Sequence, residues 1–198
     1  MSVRHALLAL LEQGPMYGYQ LRTEFEGRTG STWPLNIGQV YTTLARLERD
    51  GMIEAASDEA VAADESNGSN GDGGKRRYAI TTDGRVEVAT WFDEPVGRGE
   101  PPRDELAIKL AIAVTIPGVD VGSLVQRQRT ATMNALHEYT RLKRSGSTDE
   151  PADLAWSLVL DSLIFNAEAE IRWLDHCEAR LARRATPSRS TVAEEATR

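Results

Sequence analysis

Three amphipathic segments follow one another in the first 50 residues. Val3 to Gln13 and Tyr17 to Glu26 carry apolar residues at spacings of three and four, and Gly14-Pro15 separates them. A third segment begins after Asn36, a residue suited to cap a helix, and ends at Asp50-Gly51. Its predicted buried stripe consists of Ile37, Val40, Leu44 and Leu47. The pattern therefore predicts three short helices.

The period of the pattern changes after Gly51. Met52 to Ala55 and Arg76 to Ile80 predict two short strands that pair as a hairpin. Residues 58–74 between them are rich in Gly, Ser, Asn and Asp, so we expect a flexible acidic tip that buries little surface. Thr81 or Thr82 then caps a fourth helix, which completes a first domain over residues 1–93. Proline, glycine and charge make 94–103 a predicted linker.

The second half, residues 104–184, is predicted to be all helical. The helices are expected over Asp104 to Ile116, Val121 to Lys143 and Pro151 to Arg184, and the small polar tail 185–198 is expected to be disordered. The last helix carries a heptad-spaced seam, interrupted by the polar Glu170. The seam consists of Trp156, Leu160, Leu163, Ala167, Leu174, Cys177 and Leu181.

Two interpretations of that seam are open. It can pack on the middle helix of its own chain, or it can pair with a second copy. A helix of this length spans about 50 Å at roughly 1.5 Å per residue, more than two neighbouring helices cover. We therefore favour a helical dimerisation domain, with the seam as its interface, and a mainly α-helical fold overall.

Composition excludes several classes of function. No apolar stretch approaches the length of a membrane-spanning helix, and no secretory signal is visible, so we expect a cytoplasmic protein without a membrane partner. Cys177 is the single cysteine, and the three histidines are scattered, so neither a disulfide nor a metal site is expected. Motifs for a nucleophile, a phosphate-binding loop or a cofactor are absent, so an enzyme is not expected.

The net charge of −7 does not favour contact with phosphates, but its distribution matters more than its total. Five carboxylates lie in the predicted tip, between Asp58 and Asp72. Without them, residues 1–93 carry equal numbers of basic and acidic side chains. The acidity therefore does not decide the partner.

The order helix, helix, helix, strand, hairpin, strand is that of a winged helix-turn-helix domain with a two-stranded wing. The face of the third helix opposite the buried stripe is small, polar and basic, which suits a DNA groove; an ordinary solvated face is the alternative. Gln39, Thr42 and Arg46 are candidates to read or flank bases. Candidates for phosphate contacts are Arg49 and the base of the wing, Lys75, Arg76 and Arg77.

Three stretches resemble the PadR family of transcriptional regulators. They are Gly14-Pro15-Met16-Tyr17-Gly18-Tyr19-Gln20-Leu21, the run from Gly38 to Ile53, and Lys75-Arg76-Arg77-Tyr78-Ala79-Ile80-Thr81. The resemblance implies a homodimeric repressor of the branch with a long C-terminal domain, which a small, often aromatic, effector releases from its operator. It also makes Tyr19 and Tyr41 DNA-facing positions. The long acidic wing tip departs from the family pattern.

Three aromatic residues, Trp156, Phe165 and Trp173, are the candidates for an effector cavity at the dimer seam, although filling of the core or the interface is the favoured interpretation of each. Other functions also stay open. The chain can be a dimeric protein-interaction module whose winged helix no longer binds an operator, or an activator in place of a repressor.

Overall fold

The computed structural model describes residues 2–56, 76–97, 103–146 and 150–185. The chain divides into two compact units, one comprising Met1–Gly97 and Asp149–Trp156 and the other Arg98–Thr148 and Ser157–Arg198. The expected wing tip 58–74 and Lys75 lie outside the described residues. So do 98–102 of the expected linker and 186–198 of the expected tail.

The first unit contains the predicted helices and strands. Its elements are α1 Ser2–Leu10, a 3-10 turn Leu11–Gln13, β1 Met16–Tyr17, α2 Gly18–Thr29, α3 Ile37–Arg49, β2 Ile53–Ala55, β3 Arg77–Ile80 and α4 Thr82–Asp93. Asn36 caps α3 as expected, since its Oδ1 accepts a hydrogen bond from the Gly38 N–H at 2.8 Å. Thr81 caps α4 in the same way, accepting from the Gly84 N–H at 3.1 Å.

The sheet has three antiparallel strands in the order β1-β3-β2, so the two-stranded wing gains a third strand that the sequence did not predict. Strand β3 pairs with β2 through Ile53 opposite Ile80, and with β1 through Met16 opposite Tyr78. Strand β1 therefore joins the turn that begins α2 to the base of the wing.

A leucine-rich core holds the three helices and the sheet together. The side chains with the least exposure include Leu7, Leu8, Leu11, Leu21, Val40, Leu44, Leu47 and Ile53. Each contributes about 1.5–3 kcal/mol through burial. The prediction that Ile37 belongs to the buried stripe of α3 is wrong, since its side chain is 38% exposed. It lies in the first turn of the helix, about 60° around the axis from Val40.

The second unit consists of α5 Glu105–Ala113, α6 Val121–Ser145 and most of α7, which spans Pro151–Ala185. Helices α6 and α7 run antiparallel, because the start of α6 bonds to the end of α7 and the end of α6 to its first half. Gln126 donates to Glu178 at 2.7 Å, and Lys143 forms an ion pair with Asp161. None of the described helices is both long and apolar enough to cross a membrane.

Much of the heptad seam packs within the single chain. Leu160 and Leu174 are fully buried and Ala167 nearly so, and Cys177 and Leu181 pack against the cluster that contains Leu174. A side chain that is already covered offers no area to a partner. Leu160, Ala167 and Leu174 therefore lie beneath any dimer surface, as the intramolecular interpretation of the seam expects.

Candidate nucleic-acid interface

Helix α3 presents one polar face to solvent because its opposite face is anchored in the core by Val40, Leu44 and Leu47. At 100° per residue, the outward arc runs from Ala45 around to Gln39. Its members, all exposed, are Gly38, Gln39, Thr42, Ala45, Arg46 and Arg49. The one acidic residue of α3, Glu48, lies outside this arc. The face is therefore small, polar and basic, as the sequence predicted.

The polar groups on this face differ in how they are engaged. The Thr42 hydroxyl donates to the Gly38 carbonyl at 2.8 Å, which leaves its oxygen lone pairs as acceptors. Within the described part of the chain, the side chains of Gln39 and Arg46 form no hydrogen bond or ion pair with another residue. Their donors and acceptors are available to a ligand.

Arg49 is already paired with a neighbouring acid. It forms a salt bridge with Asp50 at 2.8 Å, and Arg4 approaches the same carboxylate at 3.5 Å. The hydrogen bond from Arg49 holds the pKa of Asp50 below its ordinary value, with further help from the Arg4 charge. A phosphate would have to compete with Asp50 for Arg49.

Tyr41 lies on the flank of α3 and packs against the first residue of α2. A Cβ atom added at Gly18 would lie 2.8 Å from Cε1 of the Tyr41 ring, closer than real side chains approach. The absence of a side chain at Gly18 thus sets the distance between α2 and α3. It leaves Tyr41 half-buried beside the polar face.

Tyr19 projects from the first turn of α2, with 53% of its surface exposed. Its ring stacks on Tyr17, with centroids 5.6 Å apart and an interplanar angle of 12°. The Gln20 side chain accepts a hydrogen bond from the Tyr17 N–H at 2.9 Å, which fixes the start of the helix. An open depression of about 310 Å³ lies beside Tyr19 and is lined also by Gln20 and Thr23.

The two described arginines at the base of the wing have different surroundings. Arg76 is half exposed, forms an ion pair with Glu48, and lies 5.6 Å from the centroid of the Tyr78 ring. Burial raises the pKa of the Tyr78 hydroxyl above its ordinary value. Arg76 therefore joins the base of the wing to the end of α3 while keeping part of its guanidinium in solvent.

Arg77 faces the opposite way and ties strands together. Its NH2 donates to the Pro15 carbonyl at 2.9 Å, and its guanidinium lies 5.5 Å from the centroid of the Tyr17 ring. Its Nε is buried and has no hydrogen-bond partner among the described residues. The sequence made Arg77 a candidate phosphate contact and did not predict this link to the turn before α2.

Within a single copy of the chain, the three candidate effector aromatics have separate surroundings. Trp156 packs over Gly30 in the first unit, where a Cβ would overlap the indole. Phe165 is nine residues further along α7, about 180° around the axis, and is 64% exposed. Trp173 packs against the cluster of Leu110, Val125 and Leu174. No group of three potential metal ligands occurs in the part of the chain that the structure covers.

Three helices followed by a hairpin that returns beside the third helix form a winged helix, joined here to a helical unit. Residues 7–90 match the family model described as "Transcriptional regulator PadR-like family". Residues 102–182 match the model described as "Virulence activator alpha C-term". Together the two models span most of the chain. The chain therefore contains a PadR-like domain, followed by a domain similar to the C-terminal part of virulence activators.

Two relatives match over nearly their whole length. A probable transcriptional regulator of Mycobacterium tuberculosis is 29% identical over 188 residues, covering 88% of this chain and 95% of the relative. The negative transcriptional regulator PadR of Bacillus subtilis is 24% identical over 180 residues, covering 87% of this chain and 93% of the relative.

Solved structures share the fold. Bacillus subtilis PadR in complex with operator DNA superposes with a TM-score of 0.67 at 22% identity, covering 91% of this chain and 99% of that one. The virulence activator AphA of Vibrio cholerae gives 0.65 at 20% identity, covering 91% and 98%. Bacillus subtilis PadR has also been solved with p-coumaric acid.

Proposed function

We propose that the chain is a sequence-specific DNA-binding regulator that represses transcription as a homodimer. The observation that carries this proposal is the outward arc of α3, which is exposed, polar and basic and contains no carboxylate. An α-helix fits the major groove of B-form DNA, and small residues such as Gly38 and Ala45 permit close approach. The known complex of Bacillus subtilis PadR with operator DNA supports the same partner for this chain.

The residues divide into two roles. Gln39, Thr42 and Arg46 read or flank base edges, because amide, hydroxyl and guanidinium groups match the donors and acceptors of the major groove. The remaining candidates position the protein on phosphates. They are Tyr19, Tyr41, Arg49, Lys75, Arg76 and Arg77, of which Arg77 also holds the base of the wing.

A second copy completes the operator-binding surface, since one winged helix reads only one half-site. Large apolar side chains that remain exposed in the helical unit support a partner copy. They include Ile108 and Ile112 on α5 and Leu158 and Phe165 on α7. Helix α5 is apolar on nearly every face, which is typical of a helix that is covered on all sides.

A small effector that releases the operator completes the proposal. Bacillus subtilis PadR has been solved with p-coumaric acid, and this complex supports a small-molecule ligand for the present chain. Release requires that the effector bind the DNA-free state more tightly than the DNA-bound state. A protein that binds an operator acts in the compartment that holds the DNA, so the proposal includes a cytoplasmic location.

The test is a binding titration of the full chain on a labelled duplex taken from the DNA upstream of its own coding sequence. Gln39→Ala should reduce the preference for this duplex over a scrambled one. Arg141→Ala is the matched control, because Arg141 lies on α6 and, among the described residues, forms its ion pair with Glu138 three positions away at 2.6 Å. A chain that binds neither duplex would favour the protein-interaction module.

A further inference from the structure

A groove of about 320 Å³ lies between α6 and α7, within the second unit. Three alanines, Ala131, Ala135 and Ala167, face it, together with Tyr139 and Leu163. Because alanine side chains are short, the two helices leave an open groove at this level of the hairpin. The volume is within the range of small-molecule sites.

One side of the groove carries a carboxylate held by neutral donors. Oε1 of Glu170 accepts hydrogen bonds from the Thr132 hydroxyl at 2.5 Å and from the Gln128 amide at 2.9 Å. Thr132 is only 7% exposed, so this end of the bond network is anchored in the protein. Neither donor carries a charge, and the negative charge of Glu170 is therefore not compensated by either.

The same two helices do supply cations to carboxylates at their other levels. Arg129 bonds to both Asp175 and Glu178, and Lys143 pairs with Asp161. Among the described residues that line the groove, none is a lysine or an arginine. The half-buried carboxylate of Glu170 thus faces the open groove beside apolar side chains. Half-buried charges favour a partner of opposite sign.

We propose that this groove binds a compact organic cation with a planar apolar body, of the arylalkylammonium class. The ammonium group lies against the carboxylate of Glu170, and the ring lies among the alanines and against Tyr139. The same charge disfavours anionic ligands such as phenolic carboxylates. That the cation also regulates operator binding rests on the proposed function; that it binds the groove does not.

The test compares two phenols of similar size and opposite charge, tyramine and p-coumarate, by calorimetric titration of the full chain at pH 7. Tyramine should bind at least ten-fold more tightly than p-coumarate. Glu170→Gln retains an oxygen that accepts from Thr132 and Gln128, and it should weaken tyramine binding at least ten-fold. Glu168→Gln is the matched control, since it removes the same charge about 200° around α7, and should change nothing.

A second variant tests whether the ligand occupies the groove. Ala131 is exposed at the groove, so Ala131→Leu should fill the space without disturbing the fold and should abolish tyramine binding at an unchanged Tm. Tyramine that binds no more tightly than p-coumarate, or equally well to Glu170→Gln, overturns the inference. The inference is also overturned if a second copy of the chain covers the groove. In that case tyramine does not bind, and Glu170→Gln dimerises more weakly than the parent chain. Operator titrations made in parallel distinguish the two proposals. A chain that binds tyramine but no operator contradicts the proposed DNA-binding function and leaves ligand binding in the groove intact.

Discussion

The guanidinium of Arg77 lies 5.5 Å from the centre of the Tyr17 ring, and this contact joins β3 to the strand that precedes α2. The hydrogen bond to the Pro15 carbonyl reinforces it. In the sequence Arg77 belongs to a basic triplet. In the structure it helps to fix the base of the wing relative to the start of α2.

Arg77→Ala should therefore destabilise the winged-helix unit. Loss of the hydrogen bond and of the ring contact is expected to cost about 1–3 kcal/mol in the free energy of unfolding. Urea denaturation measures it. Arg76→Ala is the control, because its ion pair with Glu48 is half exposed and is expected to contribute no more than about 1 kcal/mol. Equal losses for the two variants would contradict the structural role of Arg77.

Two substitutions should separate reading of bases from positioning on phosphates. Gln39→Ala should reduce discrimination at one base pair of the operator, by about 1–3 kcal/mol, because an amide that pairs with a base edge is lost. Lys75→Ala should weaken binding to all duplexes evenly and reduce the slope of log affinity against log salt by about one. Titrations of both variants on operator and scrambled duplexes give the two quantities. Identical profiles for Gln39→Ala and Lys75→Ala would contradict the division of roles.

The sequence predicted the helices, the hairpin and the polar face of α3, because these depend on local periodicity and capping. Asn36 at the start of α3 illustrates this, since its cap involves only Gly38 two residues away. Strand β1 could not be predicted, because two residues carry no period and Met16 and Tyr17 become a strand only through pairing with β3. The role of Arg77 depends on the same long-range pairing.

Helix α7 shows the limit of periodicity more clearly. Heptad spacing identified a seam but not what covers it, and Leu160 and Leu174 are buried within their own chain. The contact of Trp156 with Gly30 joins residues more than a hundred positions apart, and no local signal indicates it. Glu170 was visible as a polar interruption, but its neutral donors Gln128 and Thr132 required the structure.

Gly84 is expected to tolerate no side chain. A Cβ there would overlap the backbone carbonyl of Met52 and lie 2.8 Å from the Ile80 side chain, and a backbone atom cannot move away easily. Gly84→Ala should lower the free energy of unfolding by about 1–3 kcal/mol. Gly27→Ala is the matched control within a helix, since its Cβ meets nothing within 4 Å, and it should stabilise by up to about 1 kcal/mol. Thermal denaturation distinguishes the two, and an unchanged Tm for Gly84→Ala would refute the packing argument.

Glu87 should make the first unit sensitive to acid. Its carboxylate accepts hydrogen bonds from Arg4 at 2.8 Å and His5 at 3.0 Å, and these hold its pKa below the ordinary value of 4.5. A carboxyl whose pKa is lower in the folded state contributes stability above its unfolded pKa, and loses it as the pH falls through the folded pKa. Glu87→Gln should therefore lower stability at pH 7 and flatten its decline below about pH 4.5.

Unfolding by urea at several pH values between 7 and 3 measures this effect. Glu94→Gln, at the exposed end of the same helix, is the control and should leave the pH profile unchanged. A Glu87→Gln profile that runs parallel to that of the parent chain would show that the carboxylate contributes nothing to acid sensitivity.

The acidic segment between the two wing strands should not be needed for operator binding. Its five carboxylates repel phosphates, so deleting Asp58 to Asp72 while keeping Lys75 to Arg77 is expected to maintain or tighten binding. The same duplex titration measures the change. A large loss of affinity would indicate that the segment contacts DNA.

The most direct test of the account is fluorescence anisotropy with the full chain, the upstream duplex and a scrambled duplex, at two salt concentrations. We predict one dimer per duplex, a preference for the upstream duplex of at least about a thousand-fold, and an affinity that falls as salt rises. Equal affinity for the two duplexes, or no binding to either at micromolar protein, would contradict the assignment of α3 as the helix that reads an operator.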